Sequence, residues 1–147
     1  MPGPLYCDTS ALVKLYVRER GSAEFNAVVE GRDDVMVSEL TVTEIVSALT
    51  RLSRAGAVTG DAITRIQHAV LGRLADGTFR RVELTPDMHR RAEHYLVNLP
   101  EIPLRSADAL HLALATFARA ASVASFDTRL SAAARAIGLA TYPRWGL

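Results

Sequence analysis

The segment Leu5-Tyr6-Cys7-Asp8-Thr9-Ser10-Ala11-Leu12 indicates the class of fold that this chain adopts. Its first three residues form a short apolar run, which predicts a buried strand. The run stops at a polar turn that begins with Asp8, and helical periodicity follows through Ala11, Leu12, Leu15 and Tyr16. A strand, a polar turn and then a helix form the characteristic entry into an α/β protein.

The remainder of the chain continues this alternation of short strands and helices. Further strands are predicted at Val35–Val37, at Val82 and Leu84, at Ser122–Ser125 and over residues 139–142. Helices are predicted over Ser22–Val29, Thr41–Ala55, Asp61–Leu74, Pro86–Val97, Ala107–Arg119 and 128–137, with Ser22, Thr85 and Ser106 as N-caps. We therefore expect one domain over residues 1–147, a three-layer α/β/α sandwich with a short, mostly parallel sheet.

Composition excludes several classes of protein. The chain has 147 residues, of which 49% are hydrophobic and 22% charged, so it can bury a core without disulfides or structural zinc. Cys7 is its single cysteine, which excludes a disulfide framework and a Cys-rich metal site. No apolar run reaches the roughly 18 residues of a membrane helix, and Asp8 interrupts the N-terminus too early for a signal peptide. These features predict a cytoplasmic protein.

Four acidic residues are candidates for chemistry. Asp8 and Asp127 follow predicted strands, and sites in parallel sheets collect at the carboxyl ends of strands. Asp108 lies in a helix that is apolar on nearly every side, so we expect it to be buried and to need a partner or a cation. Glu44 lies away from the centre of its helix's apolar stripe. Each also has a plainer interpretation. Asp8 and Asp127 would be helix caps, Asp108 would be a carboxylate bound to the free N–H groups of a helix N-terminus, and Glu44 would be a solvated or boundary residue.

The four acids would form a single site if the fold brings them together in one cleft. Carboxylates gathered in this way repel one another and have raised pKa values unless a cation holds them together. Oxygen ligands without cysteine favour Mg²⁺ or Mn²⁺ over zinc. Such a site is suited to the cleavage or transfer of phosphates.

Four segments of the chain resemble the successive motifs of PIN-domain nucleases, and most closely those of the VapC-type toxins of toxin–antitoxin pairs. The segments are Tyr6-Cys7-Asp8-Thr9-Ser10-Ala11-Leu12, Ser38-Glu39-Leu40-Thr41-Val42-Thr43-Glu44, Ser106-Ala107-Asp108-Ala109-Leu110-His111-Leu112-Ala113 and Ser125-Phe126-Asp127-Thr128-Arg129-Leu130. They occur in the family's order and span almost the whole chain. The first and third are the most specific.

This resemblance implies a set of roles for the site residues. The catalytic and metal-binding acids would be Asp8, Glu44, Asp108 and Asp127. Ser10 and Ser125 would be supporting hydroxyls, although many relatives have threonine where Ser125 stands. Glu39 lies near Glu44 but fits the end of a strand and ranks below it. Among the arginines, Arg105 and Arg129 lie nearest these acids in sequence and are the first candidates for contacts to RNA phosphates.

The resemblance also implies an activity and partners. The chain would be an Mg²⁺- or Mn²⁺-dependent endoribonuclease, the toxin of a type II toxin–antitoxin system, and would hydrolyse RNA phosphodiester bonds by metal-activated water. This route needs no histidine base, so His111 is interpreted as a hydrogen-bonded structural residue. The expected partners are transfer, ribosomal or messenger RNA, a VapB-like antitoxin and a second copy of the chain in a homodimer.

Two other functions stay open on the sequence. Asp8 after the first strand could be the nucleophile of a phosphoaspartate-type phosphatase or the acceptor of a receiver domain. However, Ser10 stands where such phosphatases carry a second aspartate. Receiver domains need a lysine late in the chain, whereas the only lysine here is Lys14. A non-catalytic PIN-like interaction module is the other alternative, and the presence of all four acids argues against it. The sequence contains no glycine-rich phosphate-binding loop, so it gives no indication of a nucleotide cofactor.

The formal net charge of +1 does not exclude an RNA partner. The chain has 17 basic residues, all arginine except Lys14, and 16 acidic ones. If four acids are gathered in a cleft, the remaining 12 against 17 basic residues leave a formal charge of +5. The surface outside the cleft would then attract a polyanion.

Overall fold

Strand β1 (Leu5–Cys7) is the central strand of a five-stranded sheet in the computed structural model, which describes residues 1–144. The other strands are β2 (Val35–Ser38), β3 (Arg80–Val82), β4 (Ser122–Ala124) and β5 (Ala140–Tyr142). Their order is β3-β2-β1-β4-β5, and each neighbouring pair is parallel. The predicted α/β fold is confirmed; the last three residues of the predicted domain, 145–147, lie outside the described part of the chain.

Helices cover both faces of this sheet. They are α1 (Thr9–Tyr16), α2 (Ser22–Val29), α3 (Glu39–Arg54), α4 (Gly60–Ala75), α5 (Pro86–Asn98), α6 (Ser106–Phe117) and α7 (Thr128–Ala136). Alternate side chains of a strand point to opposite faces, so Leu5 and Cys7 pack with α1–α4, whereas Tyr6 packs with α5–α7. Within residues 1–144, no helix is both long and apolar enough to cross a bilayer.

Two of the expected caps and one strand differ from the prediction. Ser22 is the first residue of α2; its hydroxyl accepts from the Glu19 N–H at 3.1 Å and donates to the Val17 carbonyl at 2.9 Å, which holds the preceding turn instead. Ser106 is the first residue of α6 and follows the N-cap Arg105. Strand β3 ends at Val82 because pairing with β2, rather than apolar character, sets its register.

Helix α3 begins two residues earlier than the apolar periodicity predicts. The Ser38 side chain at the end of β2 accepts from the Thr41 N–H at 3.1 Å and caps the helix. Glu39 is therefore in the first turn of α3 and not at the end of a strand. The strand and the helix meet without a loop, which brings α3 directly to the carboxyl edge of the sheet.

The order of the strands places a crevice beside β1. Strands β2 and β3 follow β1 on one side, whereas β4 and β5 lie on the other, so the direction of the chain across the sheet changes between β1 and β4. Open α/β sheets bind ligands at the carboxyl ends of the strands that flank such a point. Asp8 directly follows β1, and Asp127 lies shortly after β4.

Candidate active site

Asp8 is almost completely buried, with 4% of its surface exposed, and it caps helix α1. Its Oδ1 accepts from the Ala11 N–H at 2.9 Å and from the Ser10 hydroxyl at 2.7 Å. Its Oδ2 accepts from the Ser125 hydroxyl at 2.6 Å. Burial nevertheless raises the pKa of Asp8, although the electrostatic effect of His111 and these hydrogen bonds oppose the rise. A nearby cation would favour the ionised carboxylate.

Glu44 lies on α3 with 31% of its side chain exposed, which is the boundary position that the plainer interpretation allows. Its Oε1 accepts from the Thr9 hydroxyl at 2.8 Å and contacts Nε2 of His111. Burial raises the pKa of Glu44, but the hydrogen bonds from His111 and Thr9 and the charge of Arg51 outweigh it. The pKa is therefore below the ordinary glutamate value, and Glu44 is ionised at neutral pH.

Asp108 and Asp127 both lie at helix N-termini. Asp108 accepts from the Arg105 N–H at 3.0 Å and is partly exposed. The expectation that it is buried is wrong, because the continuous buried face of α6 begins one residue later. Asp127 caps α7, with Oδ1 accepting from the Arg129 N–H at 2.8 Å and from the Leu130 N–H at 3.4 Å. Helix N-termini favour carboxylates through their free N–H groups and dipole.

All four predicted acids line one cleft of about 330 Å³ at the carboxyl edge of the sheet. Capping and lining a cleft are compatible roles, because a carboxylate has two oxygens with about four acceptor positions. Ser10 also lines the cleft, whereas Ser125 is fully buried behind Asp8. The structure thus brings together the residues that the motifs singled out.

Three arginines line the same cleft. Arg105 and Arg129 are the two that sequence proximity suggested, and the guanidinium of Arg129 lies 3.5 Å from Oδ2 of Asp127. Arg51 is the third, and sequence reasoning missed it. It follows Glu44 by about two turns of α3, so a projection of residues on the helix surface could have placed both on one face.

Sequence reasoning also missed two groups that hold Glu44. Thr9 directly follows Asp8, and His111 lies three residues after Asp108, a spacing that places two residues on the same side of a helix. His111 is buried and hydrogen-bonded, as the structural interpretation expects. It also contacts a candidate site residue, which that interpretation did not include.

The donor set of the cleft fits a hydrated, hard divalent cation. The negatively charged donors that line the cleft are carboxylates. Cys7 offers no thiolate ligand, because it is fully buried in the core and burial raises the pKa of its thiol. Within residues 1–144, no three acidic, histidine or cysteine side chains are grouped as a ready-made metal cage. Mg²⁺ keeps several waters and is usually held by one or two protein carboxylates, so it needs no such cage.

Comparison with known proteins agrees with this arrangement. The family model of the PIN domain matches residues 5–136. Ribonucleases VapC45 and VapC49 of Mycobacterium tuberculosis are each 33% identical to the chain over 141 residues, which is 95% of this chain and 94% of each relative. Among solved structures, Mycobacterium tuberculosis VapC20, a sarcin-ricin loop cleaving toxin, has a TM-score of 0.68 at 21% identity and covers 88% of this chain and 94% of its own.

These matches and the cleft geometry identify the family. The matched residues extend from β1 to the last residue of α7 and contain all four acids. The similarity to VapC20 is one of fold, whereas the two ribonucleases are similar in sequence along nearly their whole length. The chain belongs to the PIN-domain family, together with the VapC ribonucleases.

Proposed function

We propose that this chain is an endoribonuclease, the toxin of a type II toxin–antitoxin pair, and that Asp8, Glu44, Asp108 and Asp127 form its catalytic, metal-binding site. The observation that supports this proposal most directly is the single cleft that all four carboxylates line. The residues come from α1, α3, α6 and α7 or their caps, so only the folded chain collects them. The similarity to two VapC ribonucleases supports the choice of substrate class.

The four carboxylates would hold Mg²⁺ or Mn²⁺. When bound, such an ion lowers the pKa of water and neutralises charge on a phosphate. The chain's own residues supply position: Ser10, Ser125 and Ala11 immobilise Asp8, and the start of α6 presents Asp108. A phosphoaspartate mechanism with Asp8 as nucleophile is less well supported, because Ser10 stands where such phosphatases carry a second aspartate.

The three cleft arginines would bind the RNA backbone. The cleft is lined by Arg51, Arg105 and Arg129 as well as by the acids. An RNA strand that enters it would therefore meet both positively and negatively charged side chains. Arginine presents a planar fork that pairs with phosphate oxygens. The arginines would then hold neighbouring phosphates and so place one phosphodiester beside the acids.

An antitoxin and a second copy of the chain are the proposed protein partners. An acidic cleft is complementary to a basic side chain, so a VapB-like antitoxin could block it with one arginine or lysine. Exposed apolar side chains on α5 and at the end of α6, including Leu96, Val97 and Phe117, support a homodimer. The cytoplasm, where RNA substrates reside, is the proposed location.

Induced expression of the wild type and of Asp8→Asn tests the proposed function. Total RNA would be sequenced for new 5′ ends after induction. Growth arrest with discrete new ends in the wild type alone supports the proposal. Equal cleavage by Asp8→Asn, or no cleavage by a folded wild-type chain, contradicts it.

A further inference from the structure

A chain of buried polar groups lies behind Glu44 and leads away from the cleft. Nε2 of His111 contacts the Glu44 carboxylate, and Nδ1 of His111 lies 2.7 Å from the Tyr6 hydroxyl. The Tyr6 hydroxyl oxygen also lies 3.2 Å from Oγ of Ser38. Tyr6 and Ser38 are fully buried, whereas His111, which is 4% exposed, lines the wall of the cleft beside Glu44.

The chain fixes the imidazole ring of His111 from both sides. Buried polar groups are costly unless they are hydrogen-bonded, and here both ring nitrogens have a partner. Because a carboxylate only accepts hydrogen bonds, Nε2 is the donor to Glu44. The ring cannot rotate without losing a contact to β1 or to α3, and the orientation of Nε2–H is therefore set by Tyr6.

The same oxygen of Glu44 receives a second donor. Oε1 accepts from the Thr9 hydroxyl at 2.8 Å as well as from His111. No protein donor within residues 1–144 reaches the other oxygen, Oε2. The protein thus holds Glu44 by one oxygen and leaves the second available to a ligand in the cleft.

These donors come from the segments that carry the neighbouring acids. Thr9 directly follows Asp8, and His111 lies on the first turns of α6 after Asp108. The contacts from Thr9 and His111 therefore fix the position of the Glu44 carboxylate relative to Asp8 and Asp108. An unrestrained glutamate loses rotamer freedom when a ligand orders it, and here folding has already ordered the side chain.

We propose that His111, oriented by the Tyr6 hydroxyl, is a positioning residue that fixes the Glu44 carboxylate for binding of the divalent cation. The inference rests on the proposed function, since it assumes that Glu44 is a cation ligand. His111 itself does not bind the cation: its ring nitrogens are taken by Glu44 and Tyr6. Removing groups that orient metal ligands typically lowers metal affinity about 10- to 100-fold.

Calorimetric titration of the metal-free full-length chain with Mn²⁺, in the absence of RNA, tests this inference. His111→Ala is expected to weaken Mn²⁺ binding about 10- to 100-fold. Tyr6→Phe, which keeps the ring of residue 6 and removes only its hydroxyl, is expected to weaken it less. His89→Ala, an exposed histidine on α5, is the matched control and is expected to bind like the wild type.

A double-mutant cycle separates positioning from general damage to the fold. In a Glu44→Gln background, His111→Ala is expected to have little further effect on Mn²⁺ affinity, because the group that it positions has already been changed. The Mn²⁺ concentration for half-maximal cleavage should rise in His111→Ala while the KM for RNA stays near the wild-type value. Thermal melting establishes that each variant is folded.

Several results would overturn the inference. Unchanged or tighter Mn²⁺ binding by folded His111→Ala would do so, as would an equal loss with and without Glu44→Gln. If His111→Ala does not fold, Tyr6→Phe decides, and unchanged affinity there overturns the inference. A wild type that binds Mn²⁺ with no effect of His111 refutes the positioning role alone, whereas a wild type that does not bind Mn²⁺ refutes the proposed metal centre as well.

Discussion

The hydroxyl of Ser125 donates to Oδ2 of Asp8 at 2.6 Å, across 117 positions of sequence. The same hydroxyl oxygen accepts from the Asp127 N–H at 3.0 Å, so one side chain joins the first and last acids of the cleft. Ser125 is fully buried and directly follows β4, the strand that pairs with β1. The pairing of these two central strands therefore determines the surroundings of Asp8.

Asp8→Asn is expected to abolish RNA cleavage and preserve the fold. The amide oxygen can still cap α1, while the loss of a cation ligand removes several kcal/mol of transition-state stabilisation, or at least about 100-fold in rate. Cleavage assays with purified protein measure the loss. Asp87→Asn, at an exposed aspartate on α5, is the control and should cleave like the wild type. Activity in Asp8→Asn above one tenth of the wild-type rate would contradict the assignment.

Without divalent metal, Asp8→Asn is expected to have a higher Tm than the wild type at neutral pH. The pKa of Asp8 is raised in the folded state, so the folded chain binds this proton more tightly than the unfolded chain. The wild type therefore loses stability as pH rises from the ordinary aspartate pKa through the raised value, and the asparagine variant avoids that loss. Melting curves from about pH 4 upward should show a growing difference. A lower Tm for Asp8→Asn at neutral pH would contradict the expected sign.

Removal of divalent metal is expected to stop cleavage reversibly. Excess chelator withdraws the cation that the carboxylates would hold, and added Mg²⁺ or Mn²⁺ should restore the rate. The measurement is the cleavage rate as each metal is titrated back into chelator-treated protein. Undiminished cleavage in excess chelator would show that the acids act without a metal.

Arg51→Ala is expected to lower the affinity for RNA and to make that affinity less dependent on salt concentration. One lost phosphate contact should reduce the slope of log affinity against log salt by about 0.7 for a single strand. Fluorescence anisotropy of a labelled RNA with Asp8→Asn protein measures the slope without cleavage. Arg54→Ala, on the same helix but outside the cleft-lining set, is the matched control. Equal slopes for both variants would exclude Arg51 as a phosphate contact.

Cys7 is expected to resist alkylation in the native chain. The residue is fully buried in the sheet, and burial raises the pKa of its thiol, so little thiolate is available. Mass spectrometry after treatment with iodoacetamide should show modification only when denaturant is added. Rapid modification under native conditions would show that β1 opens readily.

The sequence predicted the fold well because the relevant signals are local. An apolar run before Asp8 and helical periodicity after it are properties of adjacent residues, and repetition of this pattern implies a parallel sheet with two helical layers. The predictions failed where packing outweighed the local signal. Ser22 holds the preceding turn instead of capping α2, and Asp108 stays partly exposed because α6 begins at the cleft.

The four candidate acids were also within reach of the sequence, because each belongs to a short motif at a strand end or on a helix. Ser10 and Ser125 were expected as supporting hydroxyls only through the family resemblance, and the sequence did not show which acid each of them contacts. Ser125 meets Asp8 only because β4 pairs with β1, and His111 meets Glu44, 67 positions away, only because helices from opposite layers approach at the same edge. Strand order and helix packing arise from the whole core at once. Residue types and their local periodicity therefore specify the elements and the candidate acids, whereas the tertiary structure alone determines which side chains hold those acids in place.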